Sequence, residues 1–121
     1  MLKHHDNEYN VLTVYGGVSI DDQIRELRRG VDIFVGTTGR VLDHIERRNF
    51  NFADLKYIIL DEADQMLKLG FKEDVEKIMN SIKEKAPKDV EVLLFSATVP
   101  RWVKTVAQQY LAPNFKTIDL A

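Results

Sequence analysis

Cysteine is absent from the 121-residue chain, which excludes disulfides and thiolate metal sites and suits a reducing compartment. No apolar run reaches the ~20 residues that a membrane-spanning helix needs. The start of the chain lacks the apolar core of a signal peptide. Repeats, low-complexity stretches and internal linkers are missing as well. These absences favour one globular domain around one core.

Strong charge of either sign is also missing, since the formal net charge is only −2. A domain that holds nucleic acid through its overall charge is usually strongly basic. Any contact with nucleic acid must therefore come from a local site built of backbone amides and a few well-placed cations. The histidines lack the spacing of metal ligands, and Trp102 is expected to pack in the core or a groove.

Apolar β-branched segments alternate with segments of helical periodicity. Strands are predicted at 11–15, 31–36, 57–60, 90–96 and 115–120, and helices at 19–29, 41–49, 72–85 and 100–110. Residues 57–60 are apolar on successive positions, which is typical of a strand buried on both faces. The alternation predicts an α/β fold, a mostly parallel β-sheet with flanking helices.

Helix ends are marked by local signals. Ser19 is a good N-cap, and Asp22 three residues later makes a short-armed version of the capping box. Gly30 is expected to end that helix. The later helix at 72–85 has an apolar stripe, formed by Val75, Ile78, Met79 and Ile82.

Four unusual short segments follow predicted strands. They are Gly16-Gly17, Thr37–Arg40, Asp61–Asp64 and Ser96–Thr98. Ligands of parallel sheets bind beyond the carboxyl ends of the strands. We therefore expect these segments at one edge of the sheet.

The carboxylates after the strand at 57–60 suggest chemistry. Asp61 could hold a hydrated Mg²⁺ that bridges nucleotide phosphates. Glu62 could orient and deprotonate an attacking water. The plainer interpretation is that these acids cap the following helix. Ser96 and Thr98 could likewise cap the helix predicted at 100–110.

The string Asp61-Glu62-Ala63-Asp64 resembles the sequence that names the DEAD-box ATP-dependent RNA helicases. Ser96-Ala97-Thr98 resembles that family's next motif, and Gly16-Gly17, Thr37–Arg40 and Gly70-Phe71 match further motifs in order. Residues flanking these motifs also resemble the nucleolar Gu-type subgroup. The resemblance covers nearly the whole chain and implies the C-terminal portion of the first RecA-like helicase domain.

The resemblance implies ATP and Mg²⁺ as cofactors. Asp61 would contact Mg²⁺ through water, and Glu62 would be the general base for ATP hydrolysis. Asp64 would hydrogen-bond to Ser96 or Thr98 and link the ATP site to the RNA side.

The RNA backbone would be held by Gly16, Gly17, Thr37, Gly39 and Arg40, again by resemblance. Free amides at a helix start attract phosphate, and such contacts carry no base information. Binding should therefore be independent of RNA sequence. The family usually has Pro at the position of Thr38, and we expect a modest effect of Thr on RNA affinity.

A glycine-rich phosphate loop of the form G-x-x-x-x-G-K-[ST] does not occur in the chain. Residues 1–121 are therefore expected to be a partial RecA-like ATP-binding domain whose phosphate-loop half lies upstream. The second RecA-like domain is expected to be a partner region of the parent chain. Alone, the chain is expected to be inactive and of marginal stability.

Two alternatives stay open. The chain could be a catalytically inactive helicase-like module that binds RNA, or it could belong to another RecA-like ATPase such as a DNA translocase. No membrane association is expected. An intracellular location is expected, in the nucleus, nucleolus or cytoplasm, and the sequence identifies no RNA target or unwinding polarity.

Overall fold

The computed structural model describes residues 9–112 and 116. The elements are β1 (Val11–Val14), α1 (Ile20–Arg29), β2 (Ile33–Gly36), α2 (Thr38–Glu46), β3 (Tyr57–Leu60), α3 (Ala63–Lys68), α4 (Lys72–Lys85), β4 (Glu91–Leu94) and α5 (Arg101–Tyr110). The α/β alternation is confirmed. The strand expected at 115–120 lies, apart from Lys116, outside the described residues.

The chain forms two compact units, residues 1–51 and 52–121. In the first unit β1 and β2 pair in parallel, with Val11 opposite Ile33 and Val14 opposite Gly36. The parallel pairing requires a crossover connection, which α1 supplies.

Within the part of the chain that the structure describes, Gly36 is the one glycine at which an added Cβ would meet neighbouring atoms. A Cβ atom on this residue would lie 2.5 Å from Val14 Cγ2 and 2.6 Å from Val41 Cγ2. Both atoms belong to apolar side chains of neighbouring elements, so no larger residue fits without displacing β1 or α2. The bare backbone at Gly36 therefore sets how closely α2 approaches the strands.

The second unit is built on β3 and β4, which pair in parallel from Tyr57 opposite Glu91 to Leu60 opposite Leu94. A buried cluster joins the helices of this unit, formed by Ala63, Val75, Met79, Trp102, Val103 and Val106. Ile58 and Leu60 pack against this cluster from β3. The expected apolar stripe of α4 is confirmed, and Trp102 is a core residue.

The expectation that β3 is buried on both faces is wrong for the described chain. Tyr57 and Ile59 are each 60% exposed, whereas Ile58 and Leu60 are partly buried. Side chains alternate between the faces of a strand, and the buried cluster contacts only the face that carries Ile58 and Leu60. On β4, Leu93 is 38% exposed.

The ends of α1 differ partly from expectation. Ser19 precedes the helix but makes no side-chain capping bond. Asp22 instead pairs with Arg25 one turn later, so the capping box is not formed. Gly30 ends the helix as expected, with φ of 100° and its N–H donating to the Leu27 carbonyl at 3.1 Å.

Among the described residues, no helix combines the length and the apolar character needed to cross a membrane.

Candidate functional site

The turn between β3 and α3 carries the three acids. Glu62 has left-handed backbone angles, φ 55° and ψ 47°, a conformation that costs a non-glycine residue about 1–2 kcal/mol. The N–H of Glu62 donates to Asp61 Oδ1 at 2.9 Å, and the N–H of Ala63 donates to the Phe95 carbonyl at 3.0 Å. The end of the neighbouring strand segment therefore helps to hold the turn in this conformation.

Asp64 joins this turn to the segment after β4. Its Oδ2 accepts hydrogen bonds from the Thr98 N–H at 3.0 Å and the Thr98 hydroxyl at 2.9 Å. Its own N–H donates to Ser96 Oγ at 3.1 Å, and Ser96 in turn donates to the Thr98 carbonyl at 2.6 Å. Asp64 as a whole residue is only 3% exposed. The polar groups of Asp64, Ser96 and Thr98 form one small network.

This network lowers the pKa of Asp64 below its ordinary value. The largest cause is the hydrogen bond from the Thr98 hydroxyl, which favours the charged form. Burial acts in the opposite direction, and the Thr98 amide and Ser96 add to the lowering. Asp64 therefore stays ionised, with its oxygens already committed to protein donors, and serves to hold the two segments together.

Asp61 and Glu62 are both exposed, unlike Asp64. Mg²⁺ in nucleotide sites is commonly held by one or two carboxylates, with waters and substrate phosphates supplying the other ligands. Within residues 9–112 and 116, no three metal-binding side chains cluster as an all-protein cage would require. The exposed pair thus fits a phosphate-bridged Mg²⁺ and does not fit a structural metal.

The first unit holds the glycine and threonine motifs at the carboxyl edge of β1 and β2. Gly17 has φ of 86° and needs to be glycine for its turn. Gly16 and Gly39 have nothing within 4 Å of an added Cβ. The protein's own packing therefore does not require glycine at Gly16 or Gly39, and both positions have open space beside the backbone.

Thr37 and Arg40 flank the start of α2. Thr37 is the exposed N-cap, and its N–H donates to the Val14 carbonyl at 3.2 Å. Arg40 Nη1 donates to the Val18 carbonyl and to Gln23 Oε1, both at 3.0 Å. The hydrogen bond to Val18 brings Arg40 to the loop that contains Gly16 and Gly17.

A buried polar network behind Arg40 was not expected from the sequence. Gln23 is 3% exposed and His44 is fully buried. His44 Nε2 lies 2.8 Å from Gln23 Oε1, and His44 Nδ1 lies 3.0 Å from Asn49 Nδ2. Gln23 Nε2 donates to the Tyr15 carbonyl at 3.3 Å. The network therefore links the end of β1, α1 and α2.

The signal for this network is present in the periodicity. Gln23 occupies the i+3 position of the stripe that Ile20, Ile24 and Leu27 form, and His44 stands three residues after Val41. Polar residues at such core positions are costly unless they are paired. The sequence therefore indicates that Gln23 and His44 need partners, but it does not show which residues supply them.

His44 is neutral in this network. Gln23 Oε1 is an acceptor, because Nε2 of the same amide donates to a carbonyl, so His44 carries its proton on Nε2 and accepts from Asn49 at Nδ1. The pKa of His44 is lowered, first by burial and then by the Arg40 charge. Asp43 opposes this shift and Arg47 adds to it.

The structure thus assembles the expected site residues into two groups, one in each unit. The group at the end of β3 and β4 consists of Asp61, Glu62, Asp64, Ser96 and Thr98. The group at the end of β1 and β2 consists of Gly16, Gly17, Thr37, Gly39 and Arg40. That both groups share one edge of a larger sheet stays a prediction.

Comparison with solved structures defines the class of protein. A DEAD box protein from the hyperthermophile Methanococcus jannaschii superimposes with a TM-score of 0.78 at 47% identity, over 88% of this chain and 28% of that one. The yeast DEAD-box splicing factor Prp28 gives a TM-score of 0.79 at 31% identity, over 86% of this chain and 23% of that one. The fold is that of a RecA-like helicase domain.

The family model described as DEAD/DEAH box helicase matches residues 1–106, and the chain belongs to this family. An Arabidopsis thaliana protein named DEAD-box ATP-dependent RNA helicase 7 is 51% identical over 107 residues, 88% of this chain and 16% of the relative. The mouse ATP-dependent RNA helicase DDX50 is 44% identical over 120 residues, 98% of this chain and 16% of the relative.

Proposed function

We propose that the chain is part of an ATP-dependent RNA helicase that couples ATP binding and hydrolysis to RNA clamping and local duplex unwinding. The observation that carries the proposal is the network around Asp64, which ties the exposed acids at Asp61 and Glu62 to Ser96 and Thr98. The chain spans only about 16% of the length of the curated relatives it matches. The activity therefore belongs to a longer protein.

Asp61 and Glu62 would form the hydrolytic end of the site. A bound Mg²⁺, held by Asp61 through water, would neutralise charge on the phosphates of ATP. The exposed Glu62 would orient and deprotonate the attacking water as general base. The hydrogen bond from its own N–H to Asp61 Oδ1 fixes the backbone of the two residues relative to one another.

The group in the first unit would hold the RNA backbone. Amides in the first turn of α2 have no partner within the helix and favour phosphate. Arg40 adds a cation that lies beside the loop carrying Gly16 and Gly17. The open space beside Gly16 and Gly39 supports a close approach of the ligand backbone, since nothing within the protein needs that space.

Asp64 would carry the coupling. Its Oδ2 and its N–H bind the segment after β4, whereas its Oδ1 accepts from the Gln65 N–H. A shift of Ser96 and Thr98 would therefore move the turn that holds Asp61 and Glu62. Small displacements pass between the two segments because the hydrogen bonds leave little freedom in either.

The remaining parts of the helicase would come from the parent protein. We propose that residues 1–121 are the C-terminal portion of the first RecA-like domain and that a second RecA-like domain completes the clamp. The exposed apolar side chains of β3 and β4, Tyr57, Ile59 and Leu93, support this proposal, because parallel sheets are normally covered on both faces.

Replacing Glu62 by Gln in the full-length protein tests the assignment. Without a general base, RNA-stimulated ATP turnover should fall by at least about 100-fold, while ATP binding, measured by equilibrium titration with a labelled nucleotide, should stay unchanged. Glu73→Gln is the matched control, because Glu73 is an exposed acid in the first turn of α4. The control should turn over ATP at the wild-type rate.

Two outcomes would count against the proposal. Equal turnover in Glu62→Gln and Glu73→Gln would remove Glu62 from the chemistry. No turnover in the wild-type protein, together with ATP-independent RNA binding, would favour an inactive RNA-binding module instead.

A further inference from the structure

We propose that Gln23 is a positioning residue that holds Arg40 in place for RNA phosphate, and that His44 in turn fixes Gln23. The inference rests on the proposed function, in which Arg40 contacts the RNA backbone. It adds two buried side chains that belong to none of the matched motifs.

Arg40 is held at one end of its guanidinium group. Both of its hydrogen bonds, to the Val18 carbonyl and to Gln23 Oε1, come from Nη1. A guanidinium carries five N–H donors, so Nε and Nη2 keep donors that these two bonds do not use. A planar guanidinium group that is anchored through one nitrogen can present its other nitrogens to a phosphate with little further loss of side-chain freedom.

Gln23 is suited to act as the anchor because both polar atoms of its side chain are hydrogen-bonded. Oε1 accepts from Arg40 and from His44, and Nε2 donates to the Tyr15 carbonyl. Tyr15 directly precedes Gly16. One buried amide therefore connects the double-glycine loop to the first turn of α2, the two segments assigned to RNA.

His44 fixes the orientation of that amide. A side-chain amide can exchange its oxygen and nitrogen by a half-turn, and in the exchanged state Arg40 would face a donor. The Tyr15 carbonyl can only accept and so favours the observed state, and the Nε2–H of His44 adds a second constraint because it needs the oxygen of Gln23 as acceptor. Asn49, which donates to Nδ1, keeps His44 in the required tautomer.

A double-mutant cycle between Gln23→Leu and Arg40→Ala tests the proposal in the full-length protein. The readout is the dissociation constant for a fluorescent single-stranded oligouridylate, measured by anisotropy at one fixed salt concentration with a non-hydrolysable ATP analogue. Loss of a charge-assisted contact predicts about 10-fold weaker binding for Arg40→Ala. Gln23→Leu should weaken binding by about 3- to 10-fold.

The double variant should bind no more weakly than Arg40→Ala, because Gln23 acts only through Arg40. Arg47→Ala is the matched control, since Arg47 lies at the opposite end of α2 and pairs with Asp43 on the surface. It should bind within about 2-fold of wild type, as expected for an exposed ion pair.

A second pair of variants covers the case in which Gln23→Leu fails to fold. His44→Gln keeps an N–H donor for Gln23 and should leave RNA affinity within about 2-fold of wild type, whereas His44→Leu removes the donor and should lower affinity by about 3-fold or more. Equal affinities for these two variants would overturn the role of His44.

The remaining outcomes separate the inference from the proposed function. If Gln23→Leu weakens RNA binding as much in the Arg40→Ala background as it does in the wild-type protein, the positioning role is overturned. The RNA contact of Arg40 would remain in place. Wild-type affinity for Arg40→Ala would overturn the RNA contact itself, and the positioning role with it.

Discussion

At the scale of single residues, the three carboxylates Asp61, Glu62 and Asp64 stand within four positions but differ in their surroundings. Asp64 is buried and bonded to Thr98 and Ser96, whereas Asp61 and Glu62 are exposed. A lowered pKa means that the charged form of Asp64 stabilises the fold above its ordinary titration range and that this contribution is lost as pH falls through the folded pKa. The fold therefore uses Asp64 for structure and leaves its two neighbours available for chemistry.

Whereas Asp64 is held in its charged form, His44 is held in its neutral form. Its pKa is lowered by burial, so the unfolded chain binds a proton more readily than the folded one. Its neutral form stabilises the fold fully above the unfolded value of about 6.5, and the contribution is lost as pH falls below that value. Asp43, Arg40 and Arg47 are the charged groups that modulate the shift.

We therefore expect the thermal midpoint of the wild-type protein to fall more between pH 7.5 and pH 5.5 than that of His44→Gln, which cannot gain a proton. Differential scanning calorimetry at both pH values measures the difference. Parallel curves for the two proteins would show that His44 is not held neutral by the fold.

Thr38 stands at a position where the family resemblance leads us to expect proline. The structure places Thr38 at the first residue of α2, where proline is tolerated. Thr37 before it is already extended, with φ −79° and ψ 154°, as a residue before proline must be. The backbone before Thr38 is therefore compatible with proline at this position.

Replacing Thr38 by Pro should therefore raise the free energy of unfolding by about 0.4–1 kcal/mol, because it restricts the unfolded chain. Chemical denaturation of the two proteins measures this change, and Thr38→Ala serves as control for loss of the side chain. A destabilised Thr38→Pro protein would show that the Thr38 N–H is needed.

At the scale of elements, glycines of the same segment have different roles. Gly36 ends β2 where an added Cβ would meet Val14 and Val41 at 2.5 Å and 2.6 Å. Gly39, in the first turn of α2, has nothing within 4 Å. Packing requires the first glycine, and the proposed ligand accounts for the second.

We expect Gly36→Ala to lower the free energy of unfolding by about 1–3 kcal/mol through overpacking. Gly39→Ala should leave stability unchanged or raise it by up to about 1 kcal/mol, yet weaken RNA binding. Denaturation and RNA titration of both variants give the comparison. Unaltered RNA affinity in Gly39→Ala would remove Gly39 from the RNA surface.

Sequence periodicity is sufficient to predict a helix that carries an apolar stripe. α4 was predicted with its observed bounds because four apolar residues recur at helical spacing. α3 was not separated from the acids, since six residues carry little periodicity and Glu62 enters the helix from a left-handed conformation. The bonds of Asp64 were anticipated only through the family resemblance, because they join residues more than thirty positions apart.

The network of Gln23 and His44 was not predicted for a different reason. A helix is recognised in the sequence by its apolar residues. A polar residue at a core position interrupts the apolar face of the helix without ending the helix, so it gives no signal of its own partner. Only the positions of both helices show that each polar group finds its partner.

At the scale of the whole molecule, the chain is a member of the DEAD/DEAH box helicase family and a small share of its relatives' length. The two acids proposed to act on ATP and the residues proposed to hold the RNA backbone lie in separate compact units. The central claim is that the full-length protein couples these two groups, so that RNA bound at one changes the chemistry at the other.

The most direct test is the rate of ATP turnover by the full-length protein alone, with single-stranded RNA, and with DNA of the same sequence. We expect RNA to accelerate turnover and DNA to have little effect, since 2′-hydroxyls allow a protein to distinguish the two. Equal acceleration of ATP turnover by DNA would indicate a DNA translocase. A rate of ATP turnover that neither nucleic acid changes would contradict the coupling.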